Sequence, residues 1–243
     1  MIDIHCHILP GFDDGAADLA EAMAMARIAA LAGTTDLVAT PHFPGEEASL
    51  ERLGLLLARF EKLQNAIRQE GLPLRLHPGG EILCLPQTPR LAKQGKLPTL
   101  GHTDYLLCEF YFNESPLYME EMLRFLSGCG YRTVVAHPER YEAVQEDPSL
   151  AAKWFAMGCV LQLNKGSLAG AFGPEVQKTA MELLHQGLYH LLASDAHGSD
   201  SRTTDLRNAR RQLELLCPDA YVRILTEENP RRLLQGQDML PAE

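Results

Sequence analysis

No run of 18 apolar residues occurs anywhere in these 243 residues, so no segment is suited to crossing a bilayer as a helix. The first residues carry neither a basic stretch nor an apolar core of the secretory kind before a strand pattern begins at Ile2. A soluble, cytoplasmic protein without membrane insertion is expected. The six cysteines are scattered, contain no Cys-x-x-Cys and lie mostly in apolar runs, so they read as reduced, buried thiols. No Gly-x-Gly-x-x-Gly follows a strand, and Gly79-Gly80 precedes Glu81 without opening a helix, which argues against a dinucleotide site or phosphate loop. Positive charge is scarce: 22 lysines and arginines face 32 aspartates and glutamates, a net charge of −10 with no basic patch, and no nucleic-acid partner is expected. Low-complexity stretches and long polar linkers are missing too. The chain, 1–243, therefore reads as one domain, at a length that single α/β barrels commonly occupy.

What the chain does have is an alternation of short β-rich runs with longer helical patterns. Seven strands are expected: Ile2–His5, Asp36–Thr40, Leu74–Glu81, Tyr105–Phe110, Thr133–His137, Val160–Asn164 and Tyr189–Ser194, each followed by room for a crossover helix. The first helix is expected from Asp18 to Leu31, stopped by Gly33, and the second from about Ala48 to Glu70, ahead of Gly71 and Pro73. Met23, Met25, Met122 and Met181 read as gap-filling core side chains, and Trp154 as packing. Periodicity leaves a closed barrel and an open doubly wound sheet both available. The polar residues at the strand ends favour the barrel.

Those ends offer His5 and His7, then His42, Glu81, Glu109, His137, Asn164, and Asp195 with His197; Asp14 follows in the turn Phe12-Asp13-Asp14-Gly15. In a βα barrel all strand ends meet on one face, which carries catalysis. His5 and His7, two apart on a strand, can reach one ion, whereas Cys6 points the other way and reads as packing. Nine oxygen and nitrogen ligands are too many for one ion and suit two or three, with Glu81 as a bridge. Imidazole and carboxylate without thiolate favour Mn, Fe, Co or Zn. One histidine at a strand end is more often a hydrogen-bonded structural group; recurrence over six of seven ends is what carries the reading. Glu81 and Glu109 also interrupt apolar segments, where an unpaired carboxylate costs on the order of 2 to 7 kcal/mol. His77, His102, His185 and His190 fall elsewhere and read as surface or core residues. Arg140 and Arg202 follow His137 and His197 closely. Two guanidiniums beside cations repel them unless an anion sits between, which points to a phosphate-bearing substrate.

The segments His5-Cys6-His7-Ile8-Leu9-Pro10-Gly11 with Asp13-Asp14-Gly15, Ala39-Thr40-Pro41-His42, Gly80-Glu81, Glu109-Phe110, Ala136-His137-Pro138-Glu139-Arg140-Tyr141 and Ser194-Asp195-Ala196-His197 resemble the polymerase and histidinol phosphatase (PHP) superfamily, over about the first 205 residues. Within it the chain is most similar to the bacterial manganese-dependent protein-tyrosine phosphatases of capsule and exopolysaccharide loci. Asp14 and Glu109 stand where the histidinol-phosphatase branch typically has histidine.

The resemblance implies a distorted (β/α)7 TIM-like barrel with three metals, Mn foremost. His5, His7, Glu81 and Asp195 would hold one, Glu81, Glu109 and His137 a second, and Asp14, His42 and His197 a third, with Arg140 and Arg202 gripping phosphate. The implied reaction is hydrolysis of phosphotyrosine on the tail of a bacterial tyrosine kinase that controls polysaccharide export. The alternative on the same metal core is a phosphatase for histidinol phosphate or another small molecule. A tyrosine phenolate, with a free pKa of about 10, leaves readily, so neither a strong general acid nor a covalent phosphoenzyme is required, and no cysteine nucleophile is expected. The chain departs from the resemblance at Phe43 and over Gly166 to Phe172, positions expected on the pocket rim.

Overall fold

The structure is a computed structural model that describes residues 1–44 and 50–242. Nine strands are described: β1 (Ile2–Cys6), β2 (Asp36–Ala39), β3 (His42–Pro44), β4 (Arg75–Pro78), β5 (Glu81–Leu83), β6 (Tyr105–Glu109), β7 (Arg132–Ala136), β8 (Val160–Asn164) and β9 (Leu191–Ala193). They form two sheets, β1-β2-β4 and β3-β5-β6-β7-β8-β9, and every strand pairing is parallel, with helices in the crossovers. This is the α/β class expected. β1 also lies against the end of β9: Asp195 N–H donates to the His5 carbonyl (2.9 Å), and Cys6 bridges Ala196.

One of the seven expected strands divides, and another is followed at once by a strand outside its expected bounds. The run Asp36–Thr40 ends at Ala39, and after Pro41, which has no N–H to give a ladder, the chain resumes as β3. The run Leu74–Glu81 breaks at Gly79-Gly80 into β4 and β5. There the backbone passes so close to its neighbours that a Cβ on Gly80 would lie 2.6 Å from Pro98 Cγ. Each break moves the chain from the first sheet to the second, so β2 feeds β3 and β4 feeds β5.

Helix α1 (Leu19–Leu31) starts where the Asp18 side chain accepts a hydrogen bond from Glu21 N–H (2.9 Å), as a side-chain cap should. The second helix, α2, is described over Leu50–Glu70, and its expected start near Ala48 lies outside the described residues. Among the described residues no helix is long and apolar enough to cross a membrane.

Strand alternation turns an apolar core into a polar site. Tyr105 and Leu107, Val134 and Ala136, Val160, and Leu191 and Ala193 pack with Ile2, Ile4 and Val38 in one buried cluster. One step further along the same strand faces come Glu109, Gln162, Asn164 and Asp195. Each buried apolar side chain contributes about 1.5–3 kcal/mol, so the strand ends bearing the polar groups are firmly anchored. On β1 simple alternation fails. Its register against β2 shifts between Asp3 and Cys6, and His5 faces the polar end although Ile4 packs in the apolar cluster.

Candidate metal centre

All nine expected ligands converge. His5 Nε2 lies 3.2 Å from Glu81 Oε1 and 3.5 Å from Asp195 Oδ1; His7 Nε2 lies 3.3 Å from Glu81 Oε2 and 3.5 Å from Asp195 Oδ1. His42 at the start of β3 sets Nδ1 3.0 Å from Glu81 Oε2 and 3.6 Å from Glu109 Oε2. His137 Nε2 is 3.3 Å from Glu81 Oε1 and 3.6 Å from Glu109 Oε1. Asp14, overhanging from its turn, sets Oδ1 3.4 Å from His42 Nε2 and 3.5 Å from His197 Nε2. Among the described residues three sets are close enough to hold an ion: His5, His7 and Glu81; His42, Glu81 and Glu109; and His7, Asp14, His42 and His197. Glu81 belongs to two of them, and His42 joins a set in which the resemblance gave His137.

The arrangement calls for cations. His5 Nδ1 is 2.9 Å from Gln162 Oε1, and the Gln162 amide nitrogen donates to the Leu163 carbonyl, so the ring proton sits on Nδ1. His7 Nδ1 is likewise 2.7 Å from Asp13 Oδ2. The two Nε2 lone pairs then face one another at 3.2 Å, beside carboxylates. Both Glu81 oxygens are buried and accept no hydrogen bond. Buried acceptors aimed at each other are costly without a positive charge among them, and imidazole with carboxylate is a donor set for divalent transition metals. Without cations, protons are drawn in instead. Burial works to lower His5, but Glu81 and Asp195 outweigh it and raise the ring's pKa. Glu81 is held well below the usual carboxylate range by the surrounding imidazoles, against the effect of burial, while burial and the Glu81 charge push Glu109 up to about 6.

Sequence reasoning missed the groups that orient the ligands. Asp13 binds His7 and also accepts from His42 N–H (2.8 Å) and Gly15 N–H (3.1 Å). Its turn folds back so tightly that a Cβ on Gly15 would lie 1.9 Å from the His7 carbonyl oxygen. The signals were an acidic neighbour of a candidate ligand in a glycine turn and, for Gln162, an amide set between two leucines of β8. Partners of this kind fix ring tautomer and orientation. Asp13→Ala is therefore expected to weaken metal affinity by about 10- to 100-fold without removing a ligand, measured by calorimetric titration of the metal-free protein.

The two arginines meet at the outer oxygen of Asp195. Arg202 Nη2 is 2.7 Å and Arg140 Nη1 3.3 Å from Oδ2, which also accepts from Asn164 Nδ2 (2.7 Å). Arg140 is flanked by aromatic rings, its Cζ 4.4 Å from the Phe112 centroid and 4.3 Å from that of Phe172. Of the four left-handed residues other than glycine among those described, three are in the site: His137 (φ 32°), Asp195 (φ 47°) and Arg202 (φ 46°). Such conformations cost of order 1–3 kcal/mol each and persist where surrounding contacts dictate them.

One expectation is corrected here. Phe43 is not on the rim: β3 turns His42 to the ligands and Phe43 into the core, where it is fully buried. Phe172, by contrast, does reach the site. One cysteine also has the spacing of a thiolate phosphatase, since Cys84 and Arg90 stand six residues apart. The intervening Leu85-Pro86-Gln87-Thr88-Pro89 cannot cradle phosphate, because its two prolines lack N–H donors and Thr88 opens a helix, and Cys84 is buried. Of the other histidines, His77 pairs with Asp36 (2.8 Å) at the start of β2, and His190 accepts from Leu161 N–H, held neutral because burial pushes it down to about 4.

The chain matches the family described as capsular polysaccharide synthesis, CpsB/CapC, over residues 1–235. It is 36% identical over 242 residues to the tyrosine-protein phosphatase YwqE of Bacillus subtilis, covering 98% of this chain and 92% of that one. It is 33% identical to the putative tyrosine-protein phosphatase CapC of Staphylococcus aureus, covering 100% and 92%. A solved structure from work on YwqE and on CpsB of Streptococcus pneumoniae, described as metal-dependent tyrosine phosphatases, superposes with a TM-score of 0.90 at 34% identity, covering 99% and 97%. A putative histidinol phosphatase of Listeria monocytogenes, at 13% identity and a TM-score of 0.55, covers 89% of this chain and 100% of its own and is similar in fold alone.

Proposed function

This chain belongs to the CpsB/CapC family of capsular polysaccharide synthesis proteins, and from that premise we propose that it is a metal-dependent protein-tyrosine phosphatase. Its substrate is the phosphotyrosine tail of a bacterial tyrosine kinase that regulates polysaccharide synthesis and export, reached in the cytoplasm. The nine ligands, His5, His7, Asp14, His42, Glu81, Glu109, His137, Asp195 and His197, hold two or three divalent metals, Mn foremost. The fold is one domain, a distorted (β/α)7 barrel in which β2 with β3 and β4 with β5 each count as one broken strand, and β1 closes on β9.

The observation that carries this reading is the pair of guanidiniums converging beside a ligand cluster whose central carboxylate has no hydrogen-bond donor. Bound there, divalent metals supply an acidified water and positive charge against the phosphoryl oxygens. The chain does the holding. Arg140 and Arg202 turn their N–H edges to the phosphate, and Asp13 and Gln162 keep His7 and His5 in register. In the hydrolysis a water oxygen forms the new bond to phosphorus as the bond to the phenol oxygen breaks, and the phenolate, whose conjugate acid has a pKa of about 10, takes up a proton from solvent.

The test is a paired assay on a phosphotyrosine peptide and on histidinol phosphate, before and after chelation and reloading with Mn. Peptide hydrolysis that chelation lowers by at least about 100-fold and Mn restores is the expected result. Preference for histidinol phosphate would move the chain to the metabolic branch. Failure of the metal-loaded protein on every phosphotyrosine peptide would refute the reading.

A further inference from the structure

A cavity of about 690 Å³ opens beside Arg202, outside the ligand cluster. One wall comes from the segment after β8, with Ala169, Ala171 and Phe172; the other comes from the helix Arg207–Leu216, with Arg211 and Leu215. The cavity is continuous with the anion end of the site, because Asn164, Phe172 and Arg202 belong to both. Asn164 and Arg202 hold Asp195 Oδ2, and the Phe172 ring lies against the Arg140 guanidinium. A phosphate between the two guanidiniums has this cavity as its neighbour on the Arg202 side.

Size and wall chemistry narrow the occupant. Clefts of about 300–1,000 Å³ take ligands much larger than one phenyl ring, and a metabolite of histidinol size would leave most of this one empty. The walls mix methyl groups, an aromatic face and an exposed leucine with charges of both signs, Arg211 and Asp200. Lys165 is not free to bind, because its ammonium donates to the carbonyls of Thr203 and Asp205 and ties the two walls together. Such a surface suits a stretch of polypeptide, with its alternating apolar and polar groups, better than a compact anion.

Building on the phosphatase reading, we propose that this cavity is the subsite for the peptide flanking the phosphotyrosine, receiving the residues next to the phosphorylated side chain. It makes the enzyme a reader of polypeptide as well as of aryl phosphate.

The experiment compares a phosphotyrosine peptide of about ten residues with free phosphotyrosine, using metal-loaded protein. Ala171→Trp fills the cavity from an exposed wall position, where the fold tolerates it, and Arg211→Glu reverses a charge at an exposed site. Expected is a rise of about tenfold in KM for the peptide in Ala171→Trp, with kcat/KM on free phosphotyrosine within about twofold of wild type, and a smaller change of the same kind in Arg211→Glu. Equal losses on both substrates, or unchanged kinetics on both, would overturn the subsite. Wild-type protein that hydrolyses neither substrate would overturn the phosphatase reading itself, a result distinct from the other two.

Discussion

Glu81→Gln is expected to leave the protein nearly free of metal and to lower kcat/KM on a phosphotyrosine peptide by about a thousandfold or more. The two Glu81 oxygens lie 3.0–3.3 Å from nitrogens of four imidazoles, His5, His7, His42 and His137, and belong to two of the three ligand sets. Among the described residues no other carboxylate lies this close to four imidazoles. The amide of glutamine is neutral, and its NH2 can donate to the facing Nε2 lone pairs, so the variant satisfies its own buried acceptors where wild type needs cations. The metal-free variant should therefore fold at least as well as metal-free wild type. The two proteins then separate on loading: Mn raises the melting temperature of wild type and leaves Glu81→Gln unmoved. A variant that still binds metal at wild-type stoichiometry, with activity within about tenfold, would remove Glu81 from the centre of the site.

The legibility of this site in the sequence follows from how strands work. Polar residues at strand ends can be grouped from a linear chain because each βα unit returns the next strand to the same side, which is why the gathering of His5, Glu109, His137 and Asp195 was legible in the sequence. Breaks within a strand are harder. Pro41 and Gly79-Gly80 were visible, but that the chain changes sheets at both depends on packing against residues such as Pro98, far along the chain. The register shift on β1 was likewise hidden, since Ile4 and His5 face the same way only because of the pairing between β1 and β2. Groups acting at one remove left the faintest trace. Asp13 stood beside a ligand and Gln162 inside a strand, and neither residue type announces what it will bond. Phe112 and Phe172 lie on loops after different strands, and only the folded chain brings both against Arg140.

That contact makes Arg140 the second position with a large expected effect. Arg140→Ala should lower kcat/KM on the phosphotyrosine peptide by about 100- to 1,000-fold while metal content stays at the wild-type level, as removal of a charged donor to the transition state does. Arg202→Ala should lose less, because its side chain is 37% exposed against 16% for Arg140, and water can replace more of what it gives. Lysine should not rescue position 140. An ammonium cannot offer two parallel N–H bonds to a phosphoryl group, and it lacks the flat face that stacks between Phe112 and Phe172. The control is metal content, because both arginines also touch Asp195, one of the nine proposed ligands. If Arg140→Ala loses metal in proportion to activity, the arginine acts by holding Asp195 in place. If metal is retained and the inhibition constant of inorganic phosphate rises with the loss of turnover, its partner is the phosphate itself, and the aromatic rings beside it serve to aim that contact.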